Sequence, residues 1–264
     1  MKLDIELLES RIAANTFISD IIYIPEVNST NDYSKNFRHK DNVLIVTDNQ
    51  VTGKGRYGRY WESEPEKNLT FTIKKNFNIE PDDIQSVNFF FTNFTLSGIN
   101  EYLKSEQVFI KEGELELKWP NDILLRKKKL SGFLIESDIL EGNFFIGCGI
   151  NVNQKEFNKE FSYKTTSLSN TFAREFDRTR LLIKIIEVIN DNLYLFENQE
   201  FEEIFKQWMG NFNMIGKEIV FTDEKNFLGK AKITDIHRDG GLQILINNEL
   251  KVIYSGDIRI LYQN

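Results

Sequence analysis

The chain has 264 residues, 41% of them hydrophobic and 28% charged, and a formal net charge of −7. This length and balance suit one large globular domain followed by a small one. They exclude a general nucleic-acid-binding surface, which needs clustered positive charge, and no apolar run approaches the roughly 20 residues that span a bilayer. The first residues, Met1-Lys2-Leu3-Asp4-Ile5-Glu6, carry acids where a signal peptide would be apolar. The single cysteine, Cys148, rules out an internal disulfide framework and fits a reducing cytoplasm. His39 and His237 lie far apart, and neither has a CxxC or HExxH neighbourhood, so no zinc site is expected. The 22 phenylalanines imply a core rich in aromatic rings.

Residues 3–15 read as a short amphipathic helix with Leu3, Leu7, Leu8 and Ile12 on one face. Ile21–Pro25 reads as a strand, and Ser29-Thr30-Asn31-Asp32 as a capped helix start. Val43–Thr47 and Leu69–Lys74 are β-rich. Pro81–Lys104 reads as one long helix with Val87, Phe90, Phe91 and Phe94 inward. Strands follow at Glu114–Lys118, Ile123–Arg126, Leu130–Ser137 and Phe144–Gly149, then an irregular polar stretch over 154–166. Asp177 caps a helix running to about Asn198, and Glu200–Met209 is another. From Met214 the pattern changes to short strands, Glu218–Thr222, Gly229–His237, Leu242–Ile246 and Lys251–Tyr254, with turn signals at Asp239-Gly240-Gly241 and Asn247-Asn248. The expected division is 1–212 and 213–264, the second part a small β-barrel.

Chemistry concentrates in three segments. The loop Gly53-Lys54-Gly55-Arg56-Tyr57-Gly58-Arg59-Tyr60-Trp61 alternates cations with glycines in an acidic protein, a composition suited to wrapping a carboxylate and a polyphosphate. The same glycines satisfy G-x-G-x-x-G, the dinucleotide fingerprint. That motif needs a helix to open at the loop, whereas Tyr60-Trp61-Glu62-Ser63-Glu64-Pro65 follows here. A solvated surface loop is the plain alternative. The second segment is Lys118-Trp119-Pro120-Asn121-Asp122, in which Pro120 stiffens the chain and biases Trp119 toward extended backbone. The third is Lys129-Leu130-Ser131-Gly132, seven residues after Asp122 as a hairpin requires. Arg126-Lys127-Lys128 reads as a solvated charge run, but Lys129 leaves the turn and enters a strand. A lone ammonium there suits a reaction that brings a carboxylate to an α-phosphate.

These three segments, in this order, together with Gly147-Cys148-Gly149-Ile150-Asn151-Val152-Asn153, resemble the catalytic domain of biotin protein ligases over most of residues 27–170. The resemblance implies an α/β (α+β) fold: a mixed sheet flanked by helices, class II synthetase-like, with a C-terminal SH3-like barrel from about residue 213. It implies activation of biotin by MgATP as biotinoyl-AMP, then transfer to a lysine of a biotin carboxyl carrier protein. By the same carry-over, Ser29, Thr30, Asn31, Gln50, Gly53, Lys54, Arg56, Lys129, Gly132 and Gly149 bind biotin. Arg56, Arg59, Trp61, Asn121, Asp122 and Asn151 meet the nucleotide. Lys129, Arg56 and Asp122 are catalytic, with Asp122 serving either magnesium or the acceptor amine. Lys54 stands where many bacterial members have arginine, although lysine also occurs in the family, and this weakens one bidentate contact. Trp61 packs near the adenine in the family, and plain core packing is its alternative. Ile135 and Ile150 are expected to line the pocket, and Thr166-Ser167-Leu168 to close its nucleotide side. Cys148 is expected to be a small core residue. With only 28 residues before Ser29, the expectation is a monofunctional ligase, monomer or weak homodimer, with no DNA partner, no membrane and a cytoplasmic location. A lipoate–protein ligase and a non-catalytic binder of biotin or carrier are the alternatives.

Overall fold

The computed structural model describes residues 2–13, 15–158, 164–222, 228–254 and 256–261. The chain opens with α1 (Ile5–Leu8), continued by a wider turn over Glu9–Ala13 that keeps Leu8 and Ile12 inward. Then come β1 (Asp20–Val27), α2 (Thr30–Ser34), β2 (Val43–Gln50), β3 (Leu69–Asn76) and α3 (Gln85–Ser105). They are followed by β4 (Leu115–Lys118), β5 (Asp122–Leu125), β6 (Lys128–Asp138) and β7 (Asn143–Ile150). Next are α4 (Leu168–Phe172), α5 (Arg178–Asn192), α6 (Tyr194–Glu197) and α7 (Phe201–Gly210), and last β8 (Glu218–Thr222), β9 (Leu228–Ile236), β10 (Leu242–Ile246), β11 (Glu249–Ile253) and β12 (Asp257–Ile260).

The first seven strands make one mixed sheet in the order β1-β2-β3-β7-β6-β5-β4. Only the β1–β2 pair is parallel. Every residue of β7 is buried, as expected of a central strand covered on both faces. One face, presented by Phe144, Ile146, Cys148 and Ile150, packs on the helical layer. Phe77 bridges that face to α3, with ring centroids 5.6 Å from Phe144 and 6.1 Å from Phe91. Rings continue this core through Phe90, Phe94 and Phe196, and Trp208 stacks on Phe212 at 4.7 Å. The aromatic core expected from composition is therefore present. The opposite face, carrying Gly147 and Gly149, is covered by α2 and the basic loop.

The last five strands form an antiparallel sheet ordered β11-β10-β9-β8-β12. It is tied to the large sheet by hydrogen bonds from both sides. The buried Trp119 indole donates to the Gly240 carbonyl at 2.9 Å, and the Lys217 ammonium donates to the Glu116 carboxylate at 3.2 Å. Arg238 reaches both Asp83 and Glu202.

Four local departures stand out. The long helix expected from Pro81 begins as a tight turn over Pro81–Asp83, and α3 starts at Gln85. The helix expected from Asp177 to about Asn198 divides at Leu193 into α5 and α6, with the Phe196 amide turning to the Leu193 carbonyl. Helix α4 was not expected. It is one turn long, capped by the Ser167 hydroxyl accepting from the Asn170 amide, and one turn carries too little periodicity to register. Strand β12, four residues at the end of the chain, was not expected either.

Candidate functional site

The site is built on a row of register partners running straight across the sheet. Thr70 of β3 faces Gly149 of β7, Gly149 faces Gly132 of β6, Gly132 faces Asp122 of β5, and Asp122 faces Lys118 of β4. Strands lie about 4.8 Å apart, so the two glycines leave a side-chain-free floor roughly 5 Å wide between flanking polar residues. A Cβ at Gly149 would collide with the Trp61 indole. One at Gly132 would lie 3.0 Å from the Lys129 ammonium and 3.3 Å from an Asp122 oxygen. Glycine is needed at Gly149 for close approach, not for backbone twist, whereas at Gly132 the flexible end of Lys129 would have to give way.

Lys129 reaches this face because of a bulge. Ile123 pairs with Ser131 but Leu124 pairs with Lys129, so Leu130 is an extra residue in β6. Strict alternation would turn Lys129, three residues before Gly132, to the helical face. The bulge turns it back. Its ammonium lies 2.7 Å from Asp122 and 5.6 Å from the centre of the Trp61 ring. Lys118 stands 3.9 Å from the same carboxylate. The Lys129 backbone is held independently. Its amide donates to the Lys164 carbonyl at 2.7 Å, and its carbonyl accepts from the Thr166 amide at 2.9 Å. Thr166 is thus held beside Lys129.

The adjacent row, Thr72–Gly147–Leu134, lies under α2. Ser29 caps that helix by accepting from the Asp32 amide at 3.3 Å. Thr30 donates its amide and hydroxyl to the Gln50 side-chain carbonyl at 2.9 and 3.1 Å. Asn31 lies against Gly147, donating to the Leu134 carbonyl and the Glu136 carboxylate and accepting from Thr72 at 2.7 Å. Ser29, Thr30 and Gln50 therefore gather at one end of the floor. Asn31 has its hydrogen bonds taken up in fastening α2 to β6 and β3.

The basic loop is a small hairpin. Lys54 bridges Tyr60, the Gly55 amide donates to the Arg59 carbonyl at 2.7 Å, and the Trp61 amide donates to the Gly53 carbonyl at 2.8 Å. A Cβ at Gly53 would lie 2.8 Å from the Gln50 side-chain nitrogen, which brings the loop stem against the Thr30–Gln50 end. The Lys54 ammonium donates to Asp32 at 2.6 Å. That bond, more than any other contact, holds the Asp32 carboxyl below its usual range, and it raises Lys54. Arg56 stacks on and hydrogen-bonds its neighbour Tyr57, and Arg59 is exposed at the hairpin end. Beyond Trp61, Gln154 accepts from the Asn68 side chain at 2.6 Å and the Glu64 amide at 3.1 Å, and donates to Glu62 at 3.2 Å. The buried Arg178–Asp48 pair, 2.6 Å apart, lies behind it, with Arg178 donating to the Asn68 carbonyl at 2.9 Å. This network ties the descending limb of the loop to the end of β7.

Several expected residues carry structural bonds. Asn121 donates to the Phe133 carbonyl and accepts from its amide, so it braces β5 on β6. Asn151 is buried and exchanges backbone hydrogen bonds with Leu130 and Leu168. Ile135 and Ile150 alternate with the floor residues and face the helical layer, so they do not line it. Cys148 faces that layer too, and burial pushes its thiol up to about 12, which leaves it a core residue as expected. Sequence reading passed over Thr70, Thr72, Asp32 and Glu136. All four are ordinary polar residues; strand register places Thr70, Thr72 and Glu136 on the face, and Asp32 reaches it from α2. Among the described residues no three His, Cys, Asp or Glu side chains converge to hold a metal, and no helix is long and apolar enough to cross a membrane.

Comparison with known proteins gives concordant results. Residues 23–153 match the model of the biotin/lipoate A/B protein ligase family. The bifunctional ligase/repressor BirA of Bacillus subtilis is 29% identical over 227 residues, 83% of this chain, which spans about two thirds (66%) of that relative. The biotin--[acetyl-CoA-carboxylase] ligase of Mycobacterium tuberculosis is 22% identical over 220 residues, covering 83% of this chain and 79% of that one. Among solved structures, the biotin protein ligase from Aquifex aeolicus in complex with biotin and ATP superposes with a TM-score of 0.74 at 27% identity, covering 93% of this chain and 100% of that one.

Proposed function

From the premise that this chain belongs to the biotin/lipoate A/B protein ligase family, we propose that it activates biotin with ATP and transfers it to a lysine of a carboxylase carrier domain. The observation that carries this reading is the glycine-floored row with Lys129 turned onto it by the bulge, under a cationic hairpin. The Thr30–Gln50 end supplies a buried hydroxyl and an amide suited to a cyclic urea. The acid chain then runs past the Trp61 indole, which lies over Gly149, toward Lys129. There an ammonium offsets the repulsion between carboxylate and α-phosphate and stabilises charge that builds on the phosphoryl oxygens.

Biotin and ATP are substrates. The carboxylate oxygen attacks the α-phosphorus, the bond to pyrophosphate breaks, and biotinoyl-AMP remains. Arg56 and Arg59 swing in from the hairpin to the phosphates, and Asn151 and Trp61 border the nucleotide. Asp122 has ammonium groups on both sides, at 2.7 and 3.9 Å, which does not suit a resident dication. Magnesium therefore enters with ATP on the triphosphate. In the second half-reaction the carrier lysine must lose a proton to attack the acyl carbon, since a free ammonium titrates near 10.4. Asp122 is the acceptor of that proton or its orienting partner, and AMP leaves. The acetyl-CoA carboxylase in the name of the mycobacterial relative supports a carboxylase carrier as acceptor, and the formal charge of −7 opposes a DNA partner.

The test is transfer of labelled biotin to a purified carrier domain in the presence of MgATP, with excess lipoate as competitor. Label on the carrier lysine that lipoate does not displace is expected. Displacement by lipoate would reassign the acid, and absence of label with intact biotin binding would make the protein a binder.

A further inference from the structure

Two buried polar atoms on the glycine-floored face have no hydrogen-bond partner among the described residues: the Thr70 hydroxyl and the Trp61 indole nitrogen. Thr70 is 4% exposed. It is the register partner of Gly149, and the Trp61 indole lies against that same glycine. Thr72, two residues on and on the same face, shows what the fold does with such a group when the role is structural. It bonds both Thr30 and Asn31, at 2.9 and 2.7 Å. Burying a hydroxyl or an indole N–H unpaired is costly, and two such groups beside one glycine call for a shared partner.

The chemistry of that partner follows from the donors. An indole N–H only donates, so the partner is an acceptor. The Trp61 ring lies over Gly149, with Thr70 one strand away on one side and Gly132, overlain by the Lys129 ammonium, one strand away on the other. Two unpaired donors and a cation grouped around that ring select an anionic oxygen at its edge. The urea-reading end lies along the strands at Thr30 and Gln50, so the oxygen belongs to the opposite end of the ligand.

We propose that Thr70, with the Trp61 N–H, binds the carboxylate end of the acid substrate opposite Lys129, and so helps fix the acid for attack. This rests on the biotin-activating reading. The unpaired hydroxyl is then a strain of the unliganded protein that binding relieves, which gives Thr70 two readouts of opposite sign.

Isothermal titration with biotin and thermal unfolding without ligand are compared for the wild type, Thr70→Val and Thr70→Ser. Thr70→Val is expected to bind biotin about tenfold more weakly while its unliganded Tm stays level or rises. Thr70→Ser is expected to bind within about threefold of wild type. With the alcohol made by reducing the biotin carboxyl group, the Thr70→Val deficit should vanish. Equal biotin binding by wild type and Thr70→Val would overturn the inference while leaving the biotin reading intact. So would a drop of several degrees in the unliganded Tm of Thr70→Val, or a deficit that persists with the alcohol. A wild-type protein that binds no biotin would overturn both.

Discussion

Replacing Lys129 by alanine separates chemistry from stability, and the structure sets both magnitudes. On the stability side, the ammonium is 2.7 Å from Asp122 but its side chain is 35% exposed, so the pair is a screened one. Such pairs are worth about 1 kcal/mol or less. Asp122 keeps Lys118 at 3.9 Å, and the backbone bonds of residue 129 to Lys164 and Thr166 survive the substitution. The Tm should fall by no more than about 2–4 °C. On the chemical side, one preorganised charge contact to the developing transition state is worth about 2.7–4 kcal/mol, or 10²–10³ in rate. Biotin-dependent exchange of pyrophosphate into ATP reads adenylate formation directly, and thermal unfolding by circular dichroism reads the fold. The expected result is exchange lowered by at least about a hundredfold in a protein that melts almost as wild type does. Exchange within about tenfold of wild type in folded Lys129→Ala would refute the role assigned to the ammonium.

Asp122→Asn should slow transfer of preformed biotinoyl-AMP to the carrier by about 10² or more; loss of adenylate formation with normal transfer would move Asp122 to the nucleotide step. The Asp32–Lys54 bond pins the hairpin, and it depends on pH. Because the folded Asp32 carboxyl titrates below its unfolded value of about 3.9, the stabilisation is complete above that pH and is lost as pH falls through the folded value. Amide exchange over Gly53–Tyr60, corrected for intrinsic rates, should therefore rise on acidification in the wild type, and in Asp32→Asn should be high throughout. Equal protection in the two proteins at neutral pH would remove the pair as a latch. With biotin and ATP added, the same amides should gain protection, and unchanged protection would count against the loop as a closing element. Trp119→Phe leaves the Gly240 carbonyl without its buried donor and should cost about 1–3 kcal/mol in urea unfolding; an unchanged midpoint would show the bond to be idle.

Long periodic segments were legible in the sequence. Helix α3, most of the strands and the switch to a small β unit after Met214 appear close to where periodicity put them. Glycine-and-cation content singled out the loop, and the spacing of Asp122 and Lys129 correctly implied a hairpin. What could not be read was the face each residue takes. A one-residue bulge at Leu130 decides that Lys129 joins Asp122, and nothing in the local composition marks it. Ile135 and Ile150, chosen as apolar neighbours of site glycines, fall on the far side by the same period-of-two rule that places the glycines. Asn31 and Asn121 stood in the right segments but spend their side chains on β6. The Lys54–Asp32 bond joins residues 22 apart through a turn geometry that no pattern announces.

The bond between Trp119 and Gly240 bears on how the chain can be cut. By composition, the boundary near residue 212 looks like a place to divide the molecule into two independent pieces. Mechanically it is not one. An N-terminal fragment ending there would expose the Trp119 indole, now 1% accessible, and leave its N–H to solvent immediately beside Asn121 and Asp122. It would also strand Glu116 without Lys217, and Asp83 without Arg238. The C-terminal sheet thus acts as a clamp on the segment that carries the acid of the site. A shortened form of the chain should keep the whole C-terminal sheet through Ile260, and a split-protein design should place its break on the exposed tip Ile139–Leu140, away from the residues of the clamp.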